Sequence, residues 1–252
     1  MITSIEDRLQ LVERQTKTII PYGPVLTSFE SLDQIHQQLR LGSFDLVKIV
    51  TGWGMHWDEK TIKEVYRLFK YVIVRTTCGD PSVDKNHPLY NTLPQWKNVQ
   101  SEILLWLKFL PKDVKLWIEV GNEPNIVRNH TYWFDFAYHL KDVHDKFRFI
   151  YSGWNVNLIA AGVSCDASYI QAAREYTQIA SGASSFYDLQ AIHAYEVVSF
   201  DPSPIQPRTG QLQTAIGLYP SNRRLALTEF GLNNLTMNAY EKERDMRRLC
   251  NS

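Results

Sequence analysis

The chain has 252 residues, which suits one large domain such as a barrel of alternating strands and helices. Hydrophobic residues make up 44% of the sequence and aromatic residues 12%, so a large core can be buried and a disordered chain is excluded. Basic and acidic residues number 27 each, and this balance leaves no electrostatic footprint for binding nucleic acid or an anionic membrane.

Short apolar, β-rich runs alternate along the chain with stretches of helical periodicity. Seven strands are predicted, at Thr18–Tyr22, Leu46–Val50, Tyr71–Thr76, Val114–Val120, Asn157–Val163, Leu189–Ala194 and Leu225–Phe230. A helix is predicted after each strand, at about Ser31–Leu41, Asp58–Phe69, Gln95–Phe109, Thr131–Lys146, Ala167–Ala180, Gly210–Leu218 and Ala239–Cys250. This alternation is typical of a parallel sheet covered by helices.

The seven strand–helix units predict an α/β fold of the parallel (β/α)8 TIM-barrel type. A single domain over residues 1–252 is expected, because no linker or composition shift divides the chain. An eighth strand is not visible. Either the chain is truncated at its C-terminus, or another element fills the gap between the first and seventh strands, whose edges would otherwise stay unpaired. The alternative is an open doubly wound sheet, but no GxGxxG or phosphate-binding loop follows the first strand.

Two of the predicted strands end in a glutamate. Glu123 stands in the segment GNEPN after the fourth strand, and Glu229 stands in the segment LTEFG at the end of the seventh. Barrel enzymes build their active sites at the carboxyl ends of the strands. The sequence therefore predicts that these two carboxyl groups face each other across the barrel mouth.

Two facing carboxyl groups are what glycosidic bond cleavage needs. One must be protonated to give a proton to the leaving oxygen, and the other must be ionised to attack the anomeric carbon. A separation of about 5–5.5 Å gives a covalent intermediate and retention, whereas a wider gap leaves room for water and gives inversion. This chemistry requires neither a metal nor an organic cofactor.

With these two motifs, the sequence from about Val114 to Asn233 resembles clan A glycoside hydrolases, the cellulase-like (β/α)8 enzymes. The resemblance implies a retaining, double-displacement enzyme in which Glu123 is the general acid/base and Glu229 is the nucleophile. It also implies that Asn122 binds the sugar 2-hydroxyl. The implied substrate is an oligosaccharide, a polysaccharide or a glycoside, with neither nucleic acid nor membrane as a partner.

Other segments fit the same clan less completely. The segment AIHAY on the sixth strand is similar to its His-x-Tyr pattern, which implies that His193 lies near the acid/base and Tyr195 near the nucleophile. Residues 157–164 are similar to its fifth strand, and Arg75 takes the place of its active-site arginine. Before Val114 the resemblance is only architectural. The clan's tryptophan at the end of strand eight has no counterpart here.

Each candidate residue also has a structural interpretation. Glu123 could be a solvated residue before proline, Glu229 could interact with a helix N-terminus, and Asn122 could cap a turn. Glu119 is expected to point inward, to need a buried partner and to have a structural role. An ordinary core role or ion pair is the alternative for the three remaining candidates, His193, Tyr195 and Arg75.

Two other functions remain open from the sequence. A carbohydrate-binding or structural barrel without turnover is the main alternative, and the missing eighth strand favours it. A metal-dependent hydrolase is the third interpretation, but the sequence offers no clear set of metal ligands. The prediction is accordingly an enzyme with no metal and no cofactor.

The cysteines and the N-terminus bear on where the protein works. Cys78, Cys165 and Cys250 are far apart and odd in number, so free thiols in a reducing compartment are expected. The first 15 residues are polar and lack the apolar stretch of a signal peptide, and no run of about 18 apolar residues predicts a membrane span. The prediction is a cytoplasmic protein, or a secreted one if the N-terminus is truncated.

Overall fold

A computed structural model describes residues 25–26, 45–51, 57–76, 92–165, 169–180, 188–196, 217–219 and 225–232. The strands of this part of the chain are β1 (Val25–Leu26), β2 (Leu46–Val50), β3 (Tyr71–Arg75), β4 (Lys115–Asn122), β5 (Val156–Ser164), β6 (Leu189–Glu196) and β7 (Leu225–Leu232). Its longer helices are α1 (Glu59–Leu68), α2 (Trp96–Lys108), α3 (His130–Ile150) and α4 (Ile170–Ala180). A short 3-10 helix, Pro124–Val127, follows β4.

The strands form one parallel sheet in chain order, from β1 to β7. Parallel neighbours need a crossover connection, and α1 to α4 lie in the four connections between β2 and β6. The predicted parallel α/β fold is therefore confirmed, with β2 to β7 within two residues of their expected bounds. The first predicted strand, Thr18–Tyr22, lies outside the described residues, and β1 comes after it.

The predicted helices between β2 and β6 are also found. Asp58 begins α1 by accepting a hydrogen bond from the backbone N–H of Thr61 at 2.7 Å, and Asn129 caps α3 in the same way through Tyr132. The helices predicted at Ser31–Leu41 and Ala239–Cys250 lie outside the described residues, as does most of Gly210–Leu218. Within the described ranges, no helix is long and apolar enough to cross a membrane.

The sheet is curled into a partial TIM-type barrel. Neighbouring strands lie about 4.8 Å apart, so a flat sheet would separate β2 from β7 by more than about 20 Å. Instead, the Nζ atom of Lys48 on β2 lies 2.7 Å from the Oε1 atom of Glu229 on β7. The strands therefore wrap around a shared interior. The described strands form a seven-stranded partial barrel.

The outer face of the barrel wall packs against the helices. Alternate residues of β2 to β5 form an apolar core with α1, α2 and α3, including Val47, Ile49, Val72, Val74, Leu116, Ile118, Val120 and Leu158. A second apolar cluster joins α3 and α4 to β5 and β6 through Phe136, Ala173, Tyr176, Val163 and Ile192. Removing this apolar surface from water, at about 25 cal/mol per Å², is the main force that holds the helices on the wall.

The inner face of the wall is built in levels, as is usual in TIM-type barrels. The lowest level is apolar and consists of Leu46, Ile73, Ile159, Leu189 and Ala191. The next level, here called the buried polar layer, consists of Lys48, Glu119, His193 and Thr228. The level at the carboxyl ends of the strands, here called the mouth, consists of Arg75, Asn122, Glu123 and Glu229.

Candidate active site

The turn after β4 places Glu123 in the mouth. Gly121 and Glu123 have φ angles of +84° and +42°, a backbone region that glycine adopts freely but that strains other residues. The side chain of Asn125 fixes this turn, because its amide donates to the carbonyl of Ser164 at 2.8 Å and its oxygen accepts from the N–H of Ser164 at 3.0 Å. Strained backbone of this kind persists only where its surroundings hold it in place.

A register shift brings two consecutive residues of β7 to the interior. Successive residues of a regular strand point to opposite faces. Thr228 and Glu229 nevertheless both contact groups on the inner face. The pairing of β6 with β7 shifts between Ile192 and His193, and such irregularities re-aim side chains near active sites. The shift therefore lets one strand supply a residue to each polar level.

Glu229 accepts hydrogen bonds from two cations. Its Oε1 atom lies 2.7 Å from Lys48 Nζ and 2.9 Å from Arg75 Nη1. The same Arg75 nitrogen donates to Asn122 Oδ1 at 2.8 Å. Burial alone would raise the pKa of Glu229. The positive charges of His193, Lys48 and Arg75 outweigh burial and hold the pKa of this carboxyl far below its ordinary value.

His193 lies between the two glutamates of the mouth. Its Nδ1 atom is 3.0 Å from Glu123 Oε1 and 3.6 Å from Glu229 Oε2. These two oxygens are therefore no more than about 6.6 Å apart, the two distances laid end to end. Glu123, after β4, and Glu229, on β7, therefore lie close together in the mouth, as the sequence predicted.

Below the mouth, the buried polar layer is closely interconnected. Nε2 of His193 lies 3.1 Å from both Glu119 Oε1 and Thr228 Oγ1. Lys48 Nζ lies 2.7 Å from Glu119 Oε2, so the inward-pointing Glu119 has the buried partner that it was expected to need. Burial opposes ionisation of Glu119, but Lys48 and His193 outweigh it and lower its pKa.

The protonation of His193 is set by the same contacts. Burial and the charge of Lys48 lower the pKa of His193, whereas Glu229, Glu119 and Glu123 raise it, and the net pKa lies above the ordinary value. The carboxylates around the ring therefore favour the imidazolium. A proton on Nδ1 lies on the hydrogen bond to Glu123.

The two polar levels differ in their access to solvent. The side chains of Glu123 and Glu229 are 10% and 9% exposed, whereas those of Lys48, Glu119 and His193 are at most 1% exposed. A ligand entering the mouth would therefore meet the two glutamates first.

Gly162 on β5 gives the ring of His193 its room. A Cβ atom at this position would lie 2.0 Å from Nε2 of His193, a distance that no real contact tolerates. The carbonyl of Gly162 also accepts a hydrogen bond from the N–H of Glu123 at 2.8 Å. At Gly162, β5 therefore contributes a backbone carbonyl to the site and leaves space for the ring of His193.

The structure brings together five of the six predicted site residues, Glu123, Glu229, Asn122, His193 and Arg75. Arg75 does form the ion pair that its structural interpretation required, but its partner is Glu229 in the mouth. Tyr195 lies on β6 opposite Gly231, and its side chain is outside the described residues.

Lys48 and Thr228 were not identified from the sequence. The signal for Lys48 was a lysine at the centre of the apolar strand LVKIV, where all five residues are buried. A buried lysine needs an acidic partner, and Glu119 was already expected to need one. Pairing the two would have predicted this ion pair. Thr228 gave no such signal, because only the register shift turns it inward.

No metal site is apparent in the described part of the chain. No group of three or more His, Cys, Asp and Glu residues there could hold a metal ion. The positive charge between Glu119 and Glu229 is instead the ammonium group of Lys48. Of the cysteines, Cys165 is a buried free thiol, while Cys78 and Cys250 lie outside the described residues.

No protein-family model matches the sequence, and no curated protein matches it. Among solved structures, N2152 from Neocallimastix frontalis is similar over 75% of this chain and 46% of that one, with 15% identity and a TM-score of 0.48. The Paramecium bursaria Chlorella virus arginine decarboxylase bound to agmatine is similar over 74% and 39%, with 10% identity and a TM-score of 0.25. The chain thus spans less than half of either protein, and similarities this distant assign no family and no function.

Proposed function

We propose that this protein is a retaining glycoside hydrolase of the clan A type, acting on a glycoside, oligosaccharide or polysaccharide. The observation that carries the proposal is the meeting of Glu123 and Glu229 in the barrel mouth, with carboxylate oxygens no more than about 6.6 Å apart. The resemblance of the segments GNEPN and LTEFG to that clan supports the same pair of residues.

Glu229 has the properties of the nucleophile. A nucleophile must be ionised at working pH, and the cations beside Glu229 lower its pKa. Both cations contact Oε1, while Oε2 lies 3.6 Å from Nδ1 of His193. In this proposal Oε2 attacks the anomeric carbon.

Glu123 has the properties of the acid/base because a proton lies within reach of it. Its Oε1 atom is 3.0 Å from Nδ1 of His193. The proton required by the leaving oxygen can therefore be held between these two side chains. Delivery of a proton by a positioned side chain contributes roughly 10²- to 10⁴-fold to a rate.

The reaction then follows in two displacements. Glu229 forms a bond to the anomeric carbon while the bond to the leaving oxygen breaks, and Glu123 protonates that oxygen. A water molecule next attacks the anomeric carbon, Glu123 takes its proton, and the bond to Glu229 breaks. Two inversions at one carbon give net retention. Arg75 fixes the carboxamide of Asn122, the proposed ligand of the sugar 2-hydroxyl.

The upper limit on the distance between Glu123 Oε1 and Glu229 Oε2 fits the retaining range better than most of the inverting range. Inverting enzymes hold their carboxyl groups about 6.5–9.5 Å apart to admit a water molecule, and retaining enzymes hold them about 5–5.5 Å apart. The upper limit set by His193 lies at the lower edge of the inverting range.

A panel of activated aryl glycosides and soluble polysaccharides tests the proposal. We expect Glu229→Gln to lower kcat/KM at least about 10⁴-fold, and Glu123→Ala to lower it roughly 10²- to 10⁴-fold. Added azide should restore turnover by Glu123→Ala and give a glycosyl azide of retained configuration. Glu175→Gln on α4, in an exposed pair with His130, is the matched control and should behave as the unmodified protein.

Two outcomes would overturn the proposal. If the unmodified protein hydrolyses nothing in the panel but binds oligosaccharides, the carbohydrate-binding alternative is correct. If hydrolysis occurs but is lost on chelation and survives in Glu229→Gln, the metal-dependent alternative is correct.

A further inference from the structure

Lys48 is a buried cation that the two displacements do not use. Its side chain is 1% exposed, and its Nζ atom lies 2.7 Å from Glu229 Oε1 and 2.7 Å from Glu119 Oε2. Taking a lysine out of water is costly, and replacing a whole buried ion pair by apolar residues of similar volume is often neutral or stabilising. A lysine that served only to neutralise Glu119 would not need to contact the proposed nucleophile as well.

The charges of the two polar levels balance when Lys48 is included. Lys48 and Arg75 contribute two positive charges, and Glu119 and Glu229 contribute two negative charges. The remaining pair, Glu123 and His193, is neutral overall if it holds one proton, whichever of the two side chains carries it. Without Lys48 the cluster would carry a net negative charge and would tend to take up a second proton.

A second proton would harm the proposed chemistry if Glu229 bound it. A protonated carboxyl cannot attack the anomeric carbon, so the nucleophile would be lost. Without Lys48, Oε1 of Glu229 would keep its contact with Arg75 on β3 but would lose its second cation. Lys48 reaches the same oxygen from β2. The two cations together fix both the charge and the orientation of the carboxylate.

We propose that Lys48 is a positioning residue for Glu229, which keeps this carboxylate ionised and turned so that Oε2 faces the substrate. The single proton of the site then stays on the pair formed by Glu123 and His193. This inference rests on the proposed hydrolase function, and it assigns the inner face of β2 a part in that function.

The test uses a thermodynamic cycle of Lys48→Met, Glu119→Gln and the double variant. Lys48→Met alone leaves Glu119 with an uncompensated charge and could fail to fold. The double variant removes both charges of the buried ion pair and avoids that difficulty. The informative comparison is the double variant against Glu119→Gln, because both lack the carboxylate of Glu119 and they differ only at position 48.

The first measurement is the pH dependence of kcat/KM. An opposite charge at this range lowers the pKa of a carboxyl by about 1–3 units, so losing Lys48 should move the acidic limb upward. We expect the limb of the double variant to lie about one pH unit or more above that of Glu119→Gln, with at least a tenfold loss of kcat/KM on the limb. Lys48→Arg keeps the positive charge, so it should move the acidic limb less than Lys48→Met does. Lys70→Met, at an exposed lysine, should not move the limb.

The second measurement does not depend on turnover. Protein labelled with 13C at the glutamate carboxyl groups is titrated by NMR, and Glu229→Gln assigns the resonance of Glu229. The same upward shift of its titration is expected in the double variant relative to Glu119→Gln. If both titrations and both limbs coincide, Lys48 is only a counter-ion for Glu119 and the inference is wrong. If the unmodified protein is inert but the titration shifts, the proposed function fails while the coupling between Lys48 and Glu229 stands.

Discussion

The outer and inner faces of the barrel wall follow different rules. On the outer face, alternate strand residues such as Val47, Val72 and Ile118 pack on helices in a continuous apolar core. On the inner face of the same strands, Lys48 and Glu119 lie in a layer of hydrogen bonds and ion pairs. The outer face depends on the volume and apolar character of its residues. The inner face depends on which charged atoms meet.

This difference separates stability from the proposed activity. An apolar contact on the outer face can be replaced by another of similar volume at small cost. A buried charge on the inner face has no substitute, because removing one partner leaves the other uncompensated. Predictions on the two faces should therefore give distinguishable results.

The largest expected effect on stability is on the outer face. Ile118 is fully buried between β4 and the helices, so Ile118→Ala should lower the free energy of unfolding by about 2–5 kcal/mol. Denaturant unfolding measures this loss. The kcat of the protein that remains folded should change little, because Ile118 does not contact the mouth. A change in the acidic limb of kcat/KM would contradict the separation of the two faces.

A smaller loss of stability with a larger loss of activity is expected from Gly162→Ala. The added methyl group collides with the ring of His193, which is buried and cannot move without breaking its bonds to Glu119 and Glu123. The cost in the free energy of unfolding is about 1–3 kcal/mol, with a clear fall in kcat.

Gly217→Ala is the control, because nothing lies within 4 Å of an added Cβ there. Its stability should change by less than about 1 kcal/mol, with unchanged kcat. Equal behaviour of the two variants would show that His193 is not held as described.

The buried charges of the inner face also make the stability of the fold depend on pH. The lowered pKa values of Glu229 and Glu119 stabilise the fold above the ordinary glutamate pKa of about 4.3, and this is lost as the pH falls through the folded values. The raised pKa of His193 stabilises the fold below about pH 6.5, and this is lost as the pH rises through the folded value. The free energy of unfolding should therefore be highest between about pH 4.5 and 6.5.

Glu229→Gln sharpens this prediction. Without the carboxyl, the acidic side of the stability profile should become shallower by at most about 1.4 kcal/mol per pH unit. Unfolding in denaturant at a series of pH values measures the slope. An unchanged acidic slope would mean that Glu229 does not titrate with a lowered pKa in the folded protein.

The sequence patterns were enough to predict the strands that form the outer face and much of the mouth. Apolar runs separated by helical stretches predicted β2 to β7, because burial on both faces leaves a local signal in each strand. The two glutamates were found because each follows such a run. Where the barrel wall begins and ends, and which charged residues pair inside it, depends on contacts between strands that are far apart in the chain.

The remaining site residues depend on geometry that leaves little trace in the sequence. Thr228 faces inward only because the register of β6 and β7 shifts. The contact of Lys48 with Glu229 requires the sheet to curl, since the two residues are 181 positions apart. Gly162 is a small residue in a strand, and its close approach to His193 appears only in three dimensions.

The left-handed backbone of Glu123 has a consequence for engineering the protein. At φ +42°, glycine is the residue whose conformational preferences suit the position, whereas a side chain there costs about 1–3 kcal/mol. The proposed catalytic role therefore favours glutamate at this position, whereas stability favours glycine. Selecting variants for heat resistance alone would tend to discard the proposed acid/base, and a scaffold built from this barrel for ligand binding without turnover has a natural first substitution in Glu123→Gly.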